Sequence, residues 1–374
     1  MPDLQELFAQ VDSMQDEVIA LERALVQIPS VNTGFMPTGD ETPVCELARD
    51  FLAGDGIDSE ILESAPNRGN LIARLEGRSG QAGLMFMSHT DVVPVEDESK
   101  WRFPPFSATI HEGRIFGRGA SDCKGLLTCQ LMALRLLKRN GIELEDGLIL
   151  AAGADEEHGG RYGFGWLADN HPDKLAAPYA VNEGGGTPAF TRQCRRHHFR
   201  HRVGQSPVCL NAAGAVPHDS YTNHGSGGIK NSVPESIRLT CDVRTLPHQD
   251  EQYVRQQLDE VLEGIEGVSY EIDYMARPNS SPFESELSSS LRRITAQALD
   301  RGDIQWVPAI SNGFTDSRFT RPLGTVTYGF TGSHPDDDPM LNFTHGTNES
   351  MGIRSLISGT KIMLGLACDM LAVK

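Results

Sequence analysis

Residues 84–125 read LMFMSHTDVVPVEDESKWRFPPFSATIHEGRIFGRGASDCKG, and this stretch decides the fold. Its first four residues, 84–87, form an apolar run that is typical of a strand buried on both faces. His89 and Asp91 follow where that strand would end, and on an extended segment side chains two positions apart share a face. This spacing predicts a metal-binding histidine whose ring is oriented by a neighbouring carboxylate.

The same stretch ends in a loop of small residues, 117–121, which carries Asp122 immediately before a helical pattern that starts near Lys124. Asp122 is therefore a second candidate metal ligand. A simpler interpretation stands beside each motif taken alone, because HxD is a common tripeptide and an aspartate before a helix is a frequent N-cap.

Composition restricts the class of protein. The chain has 374 residues, of which 39% are hydrophobic and 22% charged, and this predicts a soluble globular protein of two domains. A net charge of -18 argues against a nucleic-acid partner, since no basic stripe is large enough to neutralise many phosphates. Seven scattered cysteines without a CxxC pair favour a reducing compartment and argue against a cysteine-based zinc site.

The N-terminal residues 1–30 contain acidic residues throughout and lack the apolar core of a signal peptide. No run in the sequence approaches the ~20 apolar residues of a membrane span. We therefore expect a cytoplasmic, enzyme-sized protein without a membrane partner.

Apolar periodicity outside the central stretch predicts alternating helices and strands. Such alternation is typical of a largely parallel sheet with helices on both faces. Helices are expected over 14–27, from 42, over 126–139 and over about 162–170, and strands over 57–62, 70–75, 148–152 and 179–181.

Histidine and acidic residues follow these strands: His89, Asp122, the adjacent Glu156 and Glu157, and Glu183. In an open α/β sheet such loops meet at the carboxyl edge, so one imidazole and several carboxylates are expected to come together. Because close carboxylates repel one another, a cation is expected there, and these ligand types fit Zn²⁺, with Co²⁺ or Mn²⁺ as alternatives. One of the adjacent glutamates would bind the metal and leave the other to act as general base.

Five segments together resemble one enzyme family. They are HTDVVP, GRGASDCKG, GADEEHGG, NEGGG and, near the C-terminus, FTHGTNE. The chain resembles the dinuclear zinc hydrolases that include acetylornithine deacetylase, succinyl-diaminopimelate desuccinylase, aminoacylase and the glutamate and dipeptide carboxypeptidases, over 15–190 and 227–370. The resemblance implies an α/β fold with a three-layer, zinc-peptidase-like catalytic domain, a mainly parallel mixed sheet and a truncated α/β lid. The implied division is catalytic domain over 1–187 and 279–374, and lid over 188–278.

The resemblance also implies two zinc ions per chain and a catalytic glutamate. Glu156 resembles the general base, and Asp91 the residue that orients His89. Cys123 stands where the family often has methionine or aspartate, and we expect it to be a packed neighbour rather than a ligand. The implied metal ligands are His89 and Glu183 for one zinc, Glu157 and His345 for the other, and Asp122 as the bridge between them.

The lid is where the sequence departs from the family. Residues 194–226 are short, basic and rich in Gly, Pro, His and Asn, and they replace a longer stretch that contains a helix and strands. We expect a solvated segment without an ordered strand, and no metal site at His197, His198 and His201. The family is usually homodimeric through its lid, so the shortened lid predicts a mainly monomeric or weakly associated protein.

In the later part of the lid, the sequence predicts strands over 237–244 and 268–274 and a helix over about 250–262. The family lid also supplies a histidine that polarises the substrate carbonyl. His218 is the candidate remnant of that histidine.

Substrate-binding residues are implied by the resemblance as well. Asn231 and Arg244 resemble the groups that hold a substrate carboxylate, a role that suits the planar guanidinium. A surface charge on a strand is the alternative for Arg244. Thr315 and Arg318 lie in a segment that resembles a substrate-facing loop, while Asp316 in the same segment could simply cap a helix.

The predicted function is hydrolysis of the amide bond of an N-acyl amino acid or short peptide, by water activated at two zinc ions with a glutamate as base. The alternative is a metal-binding member of the family that lost turnover with part of its lid. A one-domain aminopeptidase with similar metal loops is disfavoured by the lid segment GGIKNSVP at 227–234.

Overall fold

The computed structural model describes residues 3–186, 188–191, 194–205, 241, 243–246, 249–274, 277–311 and 313–373. The chain divides into two compact units. The first comprises Met1–Val203, Ser280–Ala309 and Thr315–Lys374, and the second comprises Gly204–Asn279 and Ile310–Phe314. These divisions lie after Val203 and Asn279, whereas the sequence suggests domain boundaries after 187 and 278.

Five helices begin and end close to the periodic segments of the sequence, and the described residues contain four more, α1, α7, α8 and α9, that the periodicity does not predict. Among the described residues, no helix combines the length and the apolar character that crossing a membrane requires. The helices are α1 Leu4–Ser13, α2 Gln15–Val26, α3 Thr42–Ala53, α4 Gly125–Arg139, α5 Phe164–Asn170, α6 Glu251–Leu262, α7 Glu286–Ala298, α8 Ser317–Thr320 and α9 Ile353–Leu371.

The strands form two sheets. The larger has the order β1-β2-β6-β3-β7-β11-β9-β10, with β8 paired to β9, and the smaller has the order β12-β5-β4. The strands are β1 Ser59–Glu63, β2 Gly69–Leu75, β3 Ala82–His89, β4 Thr109–His111, β5 Arg114–Phe116, β6 Gly147–Gly153, β7 Tyr179–Asn182, β8 Pro188–Thr191, β9 Cys194–Gln205, β10 Gln305–Ser311, β11 Val326–Gly329 and β12 Ser350–Gly352.

The centre of the large sheet is parallel: β3 pairs with both β6 and β7, and β11 pairs with β7. Antiparallel pairs flank this centre, with β1 on β2 and β2 on β6 at one side and β9 on β11 at the other. The predicted α/β class with a mixed sheet is therefore confirmed.

Strand β3 is buried on both faces, as its apolar run predicts. Leu84 and Phe86 belong to one hydrophobic cluster, and Met85 and Met87 belong to another. Because successive side chains of a strand point to opposite faces, the two clusters lie on opposite sides of the sheet. Both faces of β3 are thus covered by other parts of the protein, so functional side chains are expected at its carboxyl end.

Helix α4 follows the Asp122 loop and lies in the larger cluster. All of its residues from Gly125 to Leu137 are buried, so other elements surround the helix on all sides. It ends at Asn140 and Gly141, and Gly141 has φ +59°, a conformation that glycine adopts easily. At its start, the buried Lys124 ammonium donates to the carbonyl of Leu25 at 3.0 Å, which ties α4 to the end of α2.

The sequence prediction for 194–226 is wrong in its first part. Residues 194–205 form β9, a long strand that pairs antiparallel with β8 and, through Arg202 opposite Gly329, with β11. Sequence periodicity misses this strand because its backbone pairing does not require alternating apolar side chains. Residues 206–226 lie outside the described part of the chain.

The second unit contains α6, whose first turn is capped by the Asp250 carboxylate accepting from the Tyr253 amide at 3.1 Å. The predicted strand over 268–274 is wrong, because these residues have no strand structure. Its alternating pattern contains no buried row: Val268 is 51% exposed, and the Tyr270 hydroxyl donates to Asp259 of α6 at 2.6 Å. Of the predicted strand over 237–244, the described residues 241, 243 and 244 are irregular, and the rest lies outside the described part.

Candidate metal centre

Three neighbouring strands deliver the candidate ligands to one edge of the sheet. His89 is the last residue of β3, Glu183 follows β7 directly, and Glu156 and Glu157 begin the short turn after β6. In the sheet, β3 lies between β6 and β7 and runs parallel to both. The carboxyl ends of these strands therefore meet, and the loop before α4 adds Asp122 to the same place.

Asp122 lies between two histidines. Its Oδ1 is 2.9 Å from Nε2 of His89, and its Oδ2 is 3.0 Å from Nε2 of His345. His89 Nε2 is also 3.8 Å from Glu183 Oε2, and His345 Nε2 is 3.0 Å from Glu157 Oε2. Two ligand atoms on one tetrahedral zinc lie about 3.4 Å apart, so these separations suit shared ions. The two oxygens of one carboxylate thus face two separate groups of donors.

Two groups of three side chains bring their donor atoms within 4.8 Å of one another: His89, Asp122 and Glu157, and His89, Glu156 and Glu183. Glu156 and Glu157 each belong to one group. The geometry therefore places both adjacent glutamates at the cluster and does not by itself separate a ligand from a base.

The carboxylates are crowded and buried. Burial raises the pKa of Glu157 to about 7, and the charge of Asp122 adds to the effect. Burial also raises the pKa of Glu156 and that of Glu183 well above the usual range, with each carboxylate repelled by a neighbour. In the protein alone, burial and mutual repulsion therefore disfavour the charged form of these carboxylates. A bound cation would reverse that preference, because it compensates the negative charges.

Asp122 and His345 shift in the opposite sense. Burial would raise the pKa of Asp122, but hydrogen bonds from His345 and His89 outweigh it and hold that pKa well below its usual range. Hydrogen bonds to Asp122 and Glu157 raise the pKa of His345 to about 10. In the protein alone, hydrogen bonds to Asp122 and Glu157 therefore favour the protonated form of His345.

Asp91 is fully buried behind the cluster. Its backbone carbonyl lies 3.0 Å from Nδ1 of His89, whereas its carboxylate Oδ1 is 3.5 Å away. The carboxylate instead accepts hydrogen bonds from the amides of Glu156 at 3.0 Å and Glu157 at 3.2 Å. Asp91 therefore positions two parts of the cluster. Its backbone carbonyl orients the ring of His89, and its carboxylate holds the turn that begins with Glu156 and Glu157, the glutamate turn.

A buried polar network extends from Asp91, and sequence reasoning missed it. The side-chain amide of Asn32 donates to Asp91 at 2.8 Å and to Asp155 at 3.0 Å. Asp155 has φ +66° and also accepts from Arg68 at 2.9 Å, and Arg68 donates to Glu41 at 2.8 Å. The network fixes the residue immediately before Glu156. Its members are far apart in sequence, so only the break after the first helical pattern, where Asn32 lies, could have drawn attention to them.

The predicted substrate residues occupy different places. Thr315 and Arg318 are buried in the first unit, and the Arg318 guanidinium donates to the carbonyl of Gly159, behind the glutamate turn. Arg244 is exposed in the second unit. Asn231 and His218 lie outside the described residues.

Cys123 and Asp316, two further residues of the sequence motifs, are both buried. Cys123 is buried, and its sulfur accepts a hydrogen bond from the His89 amide at 3.1 Å. Asp316 precedes α8, but its side chain accepts no capping hydrogen bond, and burial raises its pKa to about 7.

Comparison with known proteins gives consistent matches. The family model described as peptidase family M20/M25/M40 matches residues 85–369. A probable succinyl-diaminopimelate desuccinylase of Staphylococcus epidermidis is 36% identical over 217 residues, which covers 58% of this chain and 49% of the relative. The chain thus spans about half the length of that relative. A succinyl-diaminopimelate desuccinylase of Pseudoalteromonas atlantica is 24% identical over 401 residues, which covers 96% of this chain and 100% of the relative.

Solved structures share the fold. A metallo-carboxypeptidase of the M20 family from Sulfolobus solfataricus has a TM-score of 0.71 at 16% identity, covering 94% of this chain and 98% of the other. Human carnosine dipeptidase 1 has a TM-score of 0.69 at 15% identity, covering 98% of this chain and 99% of the other. At these identities the likeness is evidence for the fold alone.

Proposed function

Because the chain belongs to peptidase family M20/M25/M40, we propose that it is a metal-dependent hydrolase that cleaves the amide bond of an N-acyl amino acid or a short peptide. The observation that carries this proposal is the position of Asp122, with one carboxylate oxygen toward His89 and the other toward His345. Relatives named as desuccinylases agree with cleavage of an acyl–nitrogen bond.

The residues present fit a metal pair. The donors are imidazole nitrogens and carboxylate oxygens, the combination that suits Zn²⁺ and also Co²⁺ or Mn²⁺. Within the described residues, one buried oxygen of Glu156 and one of Glu157 lack a hydrogen-bond partner, which a cation or water would supply. In this proposal His89, Asp122 and Glu183 hold one ion, and Asp122, Glu157 and His345 hold the other.

Metal ions bound there would supply Lewis acidity, which polarises a carbonyl group and makes water a better nucleophile near neutral pH. Glu156 is the proposed general base. Its carboxylate accepts a proton as the water oxygen adds to the carbonyl carbon, and it then gives that proton to the leaving nitrogen as the amide bond breaks. Asp91 holds the Glu156 amide at 3.0 Å, so it keeps the base at a fixed place beside the cluster.

The test compares two glutamates that are adjacent in sequence. Glu156→Gln is expected to keep the metal content of the wild type while kcat falls by about 10²- to 10⁴-fold, because only proton transfer is lost. Glu157→Gln is expected to lose metal, because a ligand is weakened. Metal content measured by elemental analysis and kcat on N-succinyl, N-formyl and N-acetyl amino acids and dipeptides give the two readouts. Loss of metal in Glu156→Gln with retention of metal in Glu157→Gln would contradict this assignment. It would make Glu156 the metal ligand and Glu157 the general base.

The same panel tests the alternative, which the short segment between the NEGGG motif and residue 227 favours. A metal-loaded wild-type protein without turnover on any of these substrates would support a metal-binding member of the family that has lost catalysis.

A further inference from the structure

A buried carboxylate four residues after His345 organises the loop that carries Asp122. Glu349 is 1% exposed. Its Oε1 accepts from the Ser121 amide at 3.0 Å, the Ser121 hydroxyl at 3.1 Å and the Asp122 amide at 3.1 Å. Its Oε2 accepts from the Gly119 amide at 3.1 Å and from the Arg118 guanidinium at 2.7 Å. One side chain therefore satisfies three backbone amides of the loop.

The backbone geometry of the loop restricts how these amides could turn toward other acceptors. Gly119 has φ +84°, and a side chain there would meet Val92 at 2.5 Å, so the backbone is tightly confined. Buried amides that lose their acceptor carry the full cost of desolvation. Without the carboxylate, the loop would have to move to find other acceptors, and Asp122 would move with it.

Glu349 also joins the Asp122 loop to the segment that carries His345. Its backbone carbonyl accepts from the Gly117 amide at 2.9 Å, at the start of the Asp122 loop. The Ser121 and Thr344 hydroxyls lie 3.2 Å apart, next to His345. These contacts hold the His345 segment against the Asp122 loop, which sets the 3.0 Å separation of the two side chains.

We propose that Glu349 is a positioning residue of the metal centre, which fixes Asp122 between His89 and His345 by holding the amides of the 119–122 loop. This inference rests on the proposed metal-dependent function. Residues that orient metal ligands from behind typically change metal affinity by about 10- to 100-fold when they are replaced.

The experiment measures zinc affinity by competition with a chromogenic chelator, for wild type, Glu349→Gln and Glu22→Gln. Glu22 is the matched control, because it is a fully buried glutamate that lies outside the metal cluster and undergoes the same chemical change. Glu349→Gln is expected to bind zinc about 10- to 100-fold more weakly, because its amide nitrogen faces N–H groups of the loop. Glu22→Gln is expected to bind zinc as the wild type does. A purely structural role would lower the melting temperature of the metal-free protein without this selective loss of zinc.

Zinc affinity of Glu349→Gln within twofold of wild type, or an equal loss in Glu22→Gln, would overturn the inference. A wild type that takes up no zinc would instead overturn the proposed function, and the inference with it. If Glu349→Gln does not fold, Ser121→Ala provides the test, because it removes one donor to the carboxylate and leaves the backbone amides in place. It is expected to weaken zinc binding by about 2- to 10-fold, and unchanged binding would contradict the proposal.

Discussion

The buried ion pairs of Arg68 give a prediction whose size can be worked out from the structure. The guanidinium is 1% exposed and lies 2.8 Å from Glu41 and 2.9 Å from Asp155. Arg68→Met replaces the guanidinium by an apolar side chain of similar length. It removes the positive charge and leaves both carboxylates buried without the arginine. Replacing one member of a buried ion pair in this way costs about 3–5 kcal/mol.

The lower end of that range applies near neutral pH. Burial raises the pKa of Glu41 to about 8, Asp91 adds to the rise, and Arg68 opposes it. Glu41 can therefore hold a proton at pH 7, and the loss then comes mainly from Asp155. For a folding unit of about 300 residues, about 3 kcal/mol corresponds to a decrease of about 5 °C in melting temperature.

The assay is urea denaturation followed by fluorescence and circular dichroism, with Arg49→Met as the control. Arg49 pairs with Asp50 at 3.0 Å, but the two side chains are 41% and 72% exposed, so the same substitution should change the free energy of unfolding by less than about 1 kcal/mol. A loss in Arg68→Met no larger than in Arg49→Met would refute the reasoning, because the buried network would then contribute nothing to stability.

Two further predictions concern pH and metal. Burial raises the pKa of Glu22 from 4.5 to about 8. The negative charge of Glu349 adds to this rise, and the positive charge of Lys124 opposes it. The folded state therefore binds a proton that the unfolded state has released. As pH rises from about 5 to 8, this group should lower the free energy of unfolding by up to about 1.4 kcal/mol per pH unit. Glu22→Gln should flatten this dependence in denaturation curves, and an unchanged slope would contradict the assignment. Asp122→Ala should lower the number of zinc ions per chain seen by elemental analysis, since both oxygens of this carboxylate face donors, and two tightly held ions in the variant would refute the bridging role.

The features that could be predicted from the sequence are those with local signals. The apolar run of β3, with His89 two residues after its end, predicts a strand buried on both faces with a polar residue at its end, and the structure has this arrangement. Helix α4 was equally legible, because its apolar residues continue up to the Asn140–Gly141 stop. Hydrophobic periodicity and helix-stop residues are properties of neighbouring residues, so a single sequence contains them.

The features that could not be predicted depend on contacts between distant residues. Asn32 meets Asp155 across 123 positions, and Glu349 meets Asp122 across 227 positions. No local pattern marks either pair. Strand β9 was missed for a related reason: backbone hydrogen bonds to neighbouring strands define it, and such pairing leaves little trace in side-chain alternation.

The two histidines of the cluster differ in their surroundings. His89 ends a central strand and is 1% exposed, whereas His345 is 54% exposed and stands in a loop with φ +61°. Opening a surface loop costs far less free energy than opening a central strand, which exchanges its amide protons only on global unfolding. We therefore expect local opening of the His345 segment to cost less free energy than opening of the strand that carries His89. Hydrogen exchange is accordingly expected to be faster at the amides around His345 than at those of strand β3.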